Sequence, residues 1–110
     1  MDIDITKETK VNIAYKNNSE FDLSINVTKS GSAYDMTGKT IRAMVKKNRD
    51  WQSYLYLMSS GTEITIATAN LTFSKVMDIK QDTVYIDIYN ETDKDYIAGG
   101  LIKVERNITT

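Results

Sequence analysis

The stretch Glu20-Phe21-Asp22-Leu23-Ser24-Ile25-Asn26-Val27 alternates strictly between polar and apolar residues. In an extended chain, Phe21, Leu23, Ile25 and Val27 lie on one face and the polar residues lie on the other. A period of two over a segment of this length predicts a β-strand that buries one face.

Similar segments follow along the chain, separated by turn residues such as Ser30-Gly31 and Gly61. We predict strands at 11–15, 20–27, 40–46, 53–58, 63–67, 70–74, 83–89 and 96–104. Their short length and regular spacing indicate an antiparallel sandwich or a small barrel. Residues 75–81 lack the alternation and leave room for one helical turn. Gly99-Gly100, inside the last strand, predicts a bulge or a close approach of another backbone.

The composition supports an all-β domain and narrows the chemistry. Ile, Val and Thr supply 32 β-branched residues, against eleven Ala and Leu residues, and proline is absent. β-branched side chains suit a pleated, half-buried surface. The chain has no cysteine and no histidine, which removes disulfides, thiolate zinc sites and the commonest general base. We therefore expect neither an enzyme nor a cofactor.

Charge and hydropathy exclude two classes of partner. Fourteen basic and fifteen acidic residues give a net charge of −1, which predicts no nucleic-acid binding. The sequence has no apolar run of the roughly 18–20 residues that span a bilayer, so we expect no membrane insertion. The acidic start of the chain does not resemble a signal peptide, and we expect synthesis in a cytoplasm.

Residues 1–10 differ from the rest of the chain because their alternation is weak and their charge is high. We interpret them as an N-terminal arm, and residues 11–110 as the sandwich domain. An extended arm can add a strand to the open sheet edge of a neighbour, with Ile3 and Ile5 as its apolar contacts. Deletion of the arm is then expected to impair assembly and leave the fold intact.

Aromatic residues provide the other candidate interface. Trp51, Tyr54 and Tyr56 lie close together, and Tyr85 and Tyr89 share the outward face of one strand. Three interpretations stay open. The rings could fill the core, form a protein interface, in which Tyr and Trp are enriched, or stack on a sugar.

Two motifs that suggest ligand binding have simpler explanations. Gly38-Lys39-Thr40 resembles the end of a phosphate-binding loop, but Ala33 stands where that motif requires glycine, and a strand follows instead of a helix. The acids from Asp87 to Asp95 could face a calcium ion, yet the segment lacks the glycine and the final glutamate of an EF-hand loop. We predict a solvated hairpin loop there and no metal site.

Five asparagines stand in Asn-x-Ser/Thr: Asn17, Asn26, Asn70, Asn90 and Asn107. This motif is an acceptor of N-glycans only in a protein secreted by a glycosylating cell. We interpret its frequency here as the composition of polar strands and turns.

Several of these segments resemble the N-terminal domain of phage baseplate upper proteins. The resemblance is carried by the 21–27 strand, the corner Tyr34-Asp35-Met36-Thr37-Gly38-Lys39-Thr40, the pair 85–89 and 97–104, and the hairpin that begins at Gly61. It covers residues 20–105 and contains no catalytic group. It implies an immunoglobulin-like β-sandwich that anchors virion parts to one another.

The chain departs from that family in ending at Thr110 without a fibre or receptor-binding part, and in having Gln81-Asp82-Thr83 where the family has glycine. We therefore expect a stand-alone structural protein of a virion: a tail, baseplate, neck or head-fibre piece that forms homo-oligomers and binds other virion proteins. The alternative is a carbohydrate-binding or host-adhesion module that binds a host-surface glycan. The candidate interface residues are Ile3, Ile5, Trp51, Tyr54, Tyr56, Tyr85 and Tyr89.

Overall fold

A computed structural model describes residues 1–7, 10–49 and 53–105 of the chain. These residues form strands and irregular connections, with no helix among them. The ten strands are β1 (Asp2–Asp4), β2 (Lys10–Lys16), β3 (Glu20–Lys29), β4 (Ser32–Ala33), β5 (Ile41–Lys46), β6 (Tyr56–Ser59), β7 (Ile64–Ala67), β8 (Asn70–Val76), β9 (Thr83–Asn90) and β10 (Asp95–Glu105). Consequently, no helix in the described part is long and apolar enough to cross a membrane.

The strands form two sheets that face each other across one core. The first sheet has the order β1-β3-β8-β7, with β4 paired to β3, and the second has the order β2-β10-β9-β5-β6. Pairing is antiparallel except for β1 on β3 and β2 on β10, which are parallel. The all-β immunoglobulin-like sandwich is confirmed, as an open sandwich with two parallel N-terminal pairings.

Alternating residues of both sheets supply the core. The predicted inward face of β3 is buried, with Ile25 and Val27 fully inaccessible and Phe21 nearly so. The inward residues of β5 and β9 are fully buried as predicted, among them Val45 and Ile86. Burial of aliphatic side chains at about 25 cal/mol per Å² of apolar surface is the main force that holds the two sheets together.

The N-terminal segment does not form a separate arm, which corrects the prediction for its first residues. Asp2–Asp4 is a strand of the first sheet, in parallel register with Asn26, Val27 and Thr28. Ile3 is only 6% exposed and belongs to the core. The physical reason is that β3 leaves this part of its edge open, and β1 covers it within the same chain.

The predicted helical turn within 75–81 is absent, because side chains from other strands bind the backbone of this segment. The hydroxyl of Tyr15 lies 2.9 Å from both the N–H and the carbonyl oxygen of Met77. The Ile79 N–H donates to the amide oxygen of Asn17 at 2.8 Å. Met77 and Ile79 are buried, and the segment connects β8 of the first sheet to β9 of the second.

Candidate interaction faces

The outer surface of the second sheet holds two of the predicted interface residues. Tyr85 and Tyr89 occupy outward positions of β9, half-buried between their neighbours on β5 and β10. The prediction that they share an outward face is therefore correct. We call the outward positions of β2, β10, β9, β5 and β6 the basic face. These outward positions carry five cations and two carboxylates: Lys10, Lys16, Arg42, Lys46, Lys103, Asp87 and Glu105.

Ion pairs organise the centre of the basic face. The Lys46 Nζ atom lies 2.8 Å from a carboxylate oxygen of Asp87, and the Arg42 guanidinium lies 3.1 Å from Glu91. The Arg49 guanidinium stands over the Tyr85 ring, 5.5 Å from its centroid. Such exposed contacts add little to the free energy of unfolding, but they hold the charged side chains in defined positions on the face.

A groove of about 670 Å³ lies at the β2 side of the same face. Gly99 and Gly100 form part of its lining together with Leu101. Tyr96 is 48% exposed, and its hydroxyl donates to Asp87 across 3.3 Å. Partial burial, followed by the nearby charge of Asp87, raises the pKa of the Tyr96 hydroxyl. The groove therefore presents an aromatic ring and a carboxylate side by side.

Of the other predicted aromatics, the structure describes Tyr54 and Tyr56. Tyr54 precedes β6 and is 50% exposed. Tyr56 instead faces the core side of its strand, and its hydroxyl accepts a hydrogen bond from the Asp78 N–H at 3.0 Å. Its ring is half-buried against the core, and its predicted interface role stays a prediction. Trp51 lies outside the described residues.

Ile3 and Ile5 also contribute to the fold. Ile3 is buried, so it cannot contact a partner while β1 stays in the sheet, and its predicted interface role is wrong for this arrangement. Ile5 packs partly buried against the same core, and its N–H donates to the Thr28 carbonyl at 2.9 Å.

The acidic residues of the β9–β10 loop bind other groups of the protein. The Tyr34 hydroxyl donates to Asp95 at 2.6 Å and accepts a hydrogen bond from the Asn90 amide at 2.8 Å. The same amide donates to Asp93, which also faces Lys39 at 3.3 Å. Burial of Tyr34, followed by its bond to Asp95, raises the pKa of the hydroxyl to about 12. Within the described residues, acidic side chains form no group able to hold a metal ion.

The outer surface of the first sheet has the opposite character, and we call it the acidic face. It consists of the outward positions of β1, β3, β8 and β7, where Asp2, Asp4, Glu20 and Asp22 stand among hydroxyl and amide side chains. None of these described positions carries lysine or arginine. Asn70 donates to the amide oxygen of Asn26 at 2.8 Å, which ties β8 to β3 across this face.

Several residues that matter here escaped sequence reasoning. Asn90 is fully buried and Asn17 is 6% exposed, so two of the Asn-x-Ser/Thr sites are interior hydrogen-bonding groups. Asp4 accepts hydrogen bonds from two backbone N–H groups of the β3–β4 turn. For Asp4, the one signal in the sequence was the alternation of Asp2-Ile3-Asp4, and this segment is too short to predict a strand.

No family model and no curated protein matches the chain. Among solved structures, the chain is similar to the extracellular domain of the voltage-gated sodium channel beta4 subunit, whose parallel homodimers are described as explaining its role in cell–cell adhesion. The two are 12% identical, with a TM-score of 0.46, over 93% of this chain and 96% of that chain. This likeness bears on the sandwich fold alone. The resemblance to phage baseplate upper proteins stays a prediction.

Proposed function

We propose that this chain is a non-enzymatic structural protein of a bacteriophage virion, a tail, baseplate, neck or head-fibre piece that acts through protein–protein interfaces. The observation that carries the proposal is the contrast between the two sheet faces. One displays carboxylates among hydroxyl and amide side chains, and the other displays cations, two of which form ion pairs with Asp87 and Glu91. A surface of this kind suits docking on another protein.

The residues that could perform chemistry support the same proposal. Asp87, which lines the groove, is paired with Lys46, and the acids around Asn90 bind Tyr34 and Lys39. These groups already have partners within the chain. The resemblance of residues 20–105 to the baseplate domain adds the virion as the place of action.

The proposal is tested on particles. We would purify phage particles released from the host that encodes this chain and label them with an antibody raised against it. A symmetric label at one position of the tail, neck or head is the expected result. Particles without label, from cells in which the soluble protein is abundant, would overturn the proposal.

A carbohydrate-binding or host-adhesion function is the second candidate, and the half-exposed Tyr96 favours it. An aromatic ring beside Asp87 in a groove is a surface on which a sugar can stack while its hydroxyls donate to a carboxylate. A glycan array probed with the wild type and with Tyr96→Ala tests this function. Binding that Tyr96→Ala abolishes would support it, and an array without any binding would remove it.

A further inference from the structure

We infer that the acidic face of one copy of this chain docks on the basic face of a second copy. This inference rests on the proposed function, because it names the partner and the two surfaces of that assembly. The two faces carry charge of opposite sign, although the net charge of the whole chain is only −1.

Two carboxylates of the acidic face, those of Glu20 and Asp22, make no ion pair with the described part of the chain. Asp22 is exposed at the middle of the face, and its carboxylate makes no hydrogen bond or ion pair with the described residues. Glu20 accepts a hydrogen bond from the Ser74 hydroxyl, which holds its carboxylate in place without neutralising it. The amino group of Met1 also lies at this face, 3.3 Å from the Ser24 carbonyl.

The basic face has exposed cations to match. Lys103 and Lys16 are exposed on the neighbouring strands β10 and β2, and no contact within the described residues neutralises the Lys103 side chain. Half-buried apolar groups lie beside them, Leu101 on the same strand and Tyr85 opposite it on β9. This combination of apolar centre and charged surroundings is typical of a protein-binding surface.

The geometry favours unlike faces over like faces. Two acidic faces or two basic faces would bring charges of the same sign together, which costs free energy in a partly desolvated interface. An acidic face docked on a basic face brings charges of opposite sign together instead. An interface between unlike surfaces is heterologous. In a pair of copies, one copy still has a free acidic face and the other a free basic face, so further copies add until a ring closes or a filament forms.

The size of the faces sets the strength of the association. The four strands of the acidic face, β1, β3, β8 and β7, have three, ten, seven and four residues, and at a spacing of about 4.8 Å they present on the order of 400 Å². A standard interface buries about 800 Å² per partner, so this contact is well below the standard size. We expect weak association that depends on ionic strength, because salt screens exposed charges within about 10 Å at 0.1 M.

The test is the mass of the protein in solution, by light scattering coupled to size-exclusion chromatography. Wild type at high concentration and low salt should reach at least twice its 12.5 kDa monomer mass, and should return to the monomer mass at high salt. Glu20→Lys/Asp22→Lys and Lys16→Glu/Lys103→Glu should each remain monomeric. Mixed together, these two variants should associate again, because each offers the charge that the other has lost.

Lys29→Glu/Lys94→Glu is the matched control, since it changes the net charge as much as the second variant at exposed positions outside both faces. It should associate like the wild type, and far-UV circular dichroism should show that all variants fold. Wild type that stays monomeric at low salt would overturn the inference. So would a loss of association in only one face variant, which would indicate a symmetric dimer, or no recovery in the mixture.

The outcomes separate this inference from the proposed function. Particles that carry the antibody label, combined with a monomeric protein in solution, would overturn the docking of copies and leave the virion role standing. Salt-sensitive association with recovery in the mixture, combined with unlabelled particles, would keep the docking surfaces and remove the virion role.

Discussion

The carboxylate of Asp4 accepts a hydrogen bond from the Gly31 N–H across 2.9 Å, and this contact joins β1 to the turn between β3 and β4. The Ser30 N–H donates to the same carboxylate at 3.2 Å. Ser30 and Gly31 both have positive φ, 51° and 83°, as a two-residue type I′ hairpin requires. The Thr6 hydroxyl also donates to Asp4 and is the main cause that holds the pKa of this carboxyl well below its usual range.

Replacing Asp4 tests whether this carboxylate holds β1 in the sheet. In Asp4→Asn the side chain keeps its shape but loses its charge and one acceptor oxygen, so the bonds to the turn weaken. We expect faster amide hydrogen exchange at Ile5, and unchanged exchange in β9. Asp22→Asn makes the same chemical change at an exposed position and should leave the exchange unaltered. Equal exchange at Ile5 in wild type and Asp4→Asn would contradict the role of Asp4.

Ile3→Ala tests the assignment of β1 to the core. The side chain is 6% exposed, so truncation leaves a cavity between the sheets and should lower the free energy of unfolding by about 2–4 kcal/mol. Urea denaturation followed by circular dichroism measures this loss. Deletion of residues 1–7 should destabilise the fold for the same reason, contrary to the expectation from sequence. An Ile3→Ala variant as stable as wild type would restore the interpretation of an arm.

The strands with a buried face were predictable because their signal is local. Phe21 to Val27 alternate over a whole strand, and inward and outward positions follow from the sequence alone. The parallel pairing of Ile3 with Val27 was not predictable, since it depends on contacts between residues distant in sequence. Flanking charges at Asp2 and Asp4 made this short segment look solvated, although their side chains point away from the core.

The tyrosines show a second limit of sequence reasoning. Tyr56 and Tyr85 look alike in sequence, but the Tyr56 hydroxyl meets the backbone of Asp78 while Tyr85 lies on the outer face. Whether a tyrosine hydroxyl finds an internal partner depends on which loop packs against it. The difference in charge between the two faces was also not predictable from the sequence, because it depends on which strands belong to which sheet.

Glu63 is expected to make stability depend on pH. Its carboxylate accepts hydrogen bonds from the Thr62 hydroxyl and the Ser59 N–H and faces Lys75 at 3.4 Å. Led by the Thr62 bond, these contacts lower the pKa of Glu63 to about 2, from the model-peptide value of 4.5. Below pH 4.5 the Glu63 carboxylate is protonated in the unfolded chain but stays ionised in the folded protein. The free energy of unfolding therefore falls as pH decreases towards 2.

Two variants check this dependence on pH. Glu63→Gln should be less stable near neutral pH and show a flatter loss of stability on acidification, measured by urea denaturation at a series of pH values. Thr62→Val removes the hydroxyl donor and should raise the pKa of Glu63, measured by NMR titration of its carboxyl carbon. An unchanged pKa in Thr62→Val would show that the hydroxyl is not the main cause.

Tyr34→Phe tests the buried network around Asn90. It removes the proton donor to Asp95 and one partner of the Asn90 amide, and leaving buried polar groups unsatisfied costs about 1–3 kcal/mol. The Tyr34 pKa of about 12 lies above its ordinary value of 10, so the unfolded state ionises first and stability falls between these pH values. Tyr34→Phe should lose that alkaline slope, whereas Tyr54→Phe, at an exposed site, should keep it.

The adjacent glycines Gly99 and Gly100 are expected to differ in their tolerance of a side chain. A Cβ at Gly100 would stand 1.8 Å from the Val11 carbonyl oxygen, which belongs to the backbone of β2 and cannot turn away. Gly100→Ala must therefore separate β10 from β2, and we expect a loss of about 1–3 kcal/mol or more in unfolding free energy.

A Cβ at Gly99 would meet the Tyr96 hydroxyl at 1.8 Å, and this group ends a flexible side chain that can move aside. Gly99→Ala should therefore cost less than Gly100→Ala, and Tyr96→Ala should recover part of its loss in a double-mutant cycle. The same Tyr96→Ala change should recover nothing in Gly100→Ala, because the obstacle there is the backbone of Val11. Equal losses at both glycines, without recovery, would mean that the Asp87 carboxylate and the Ile86 carbonyl, 2.9 and 3.0 Å from a Cβ at Gly99, also block that position.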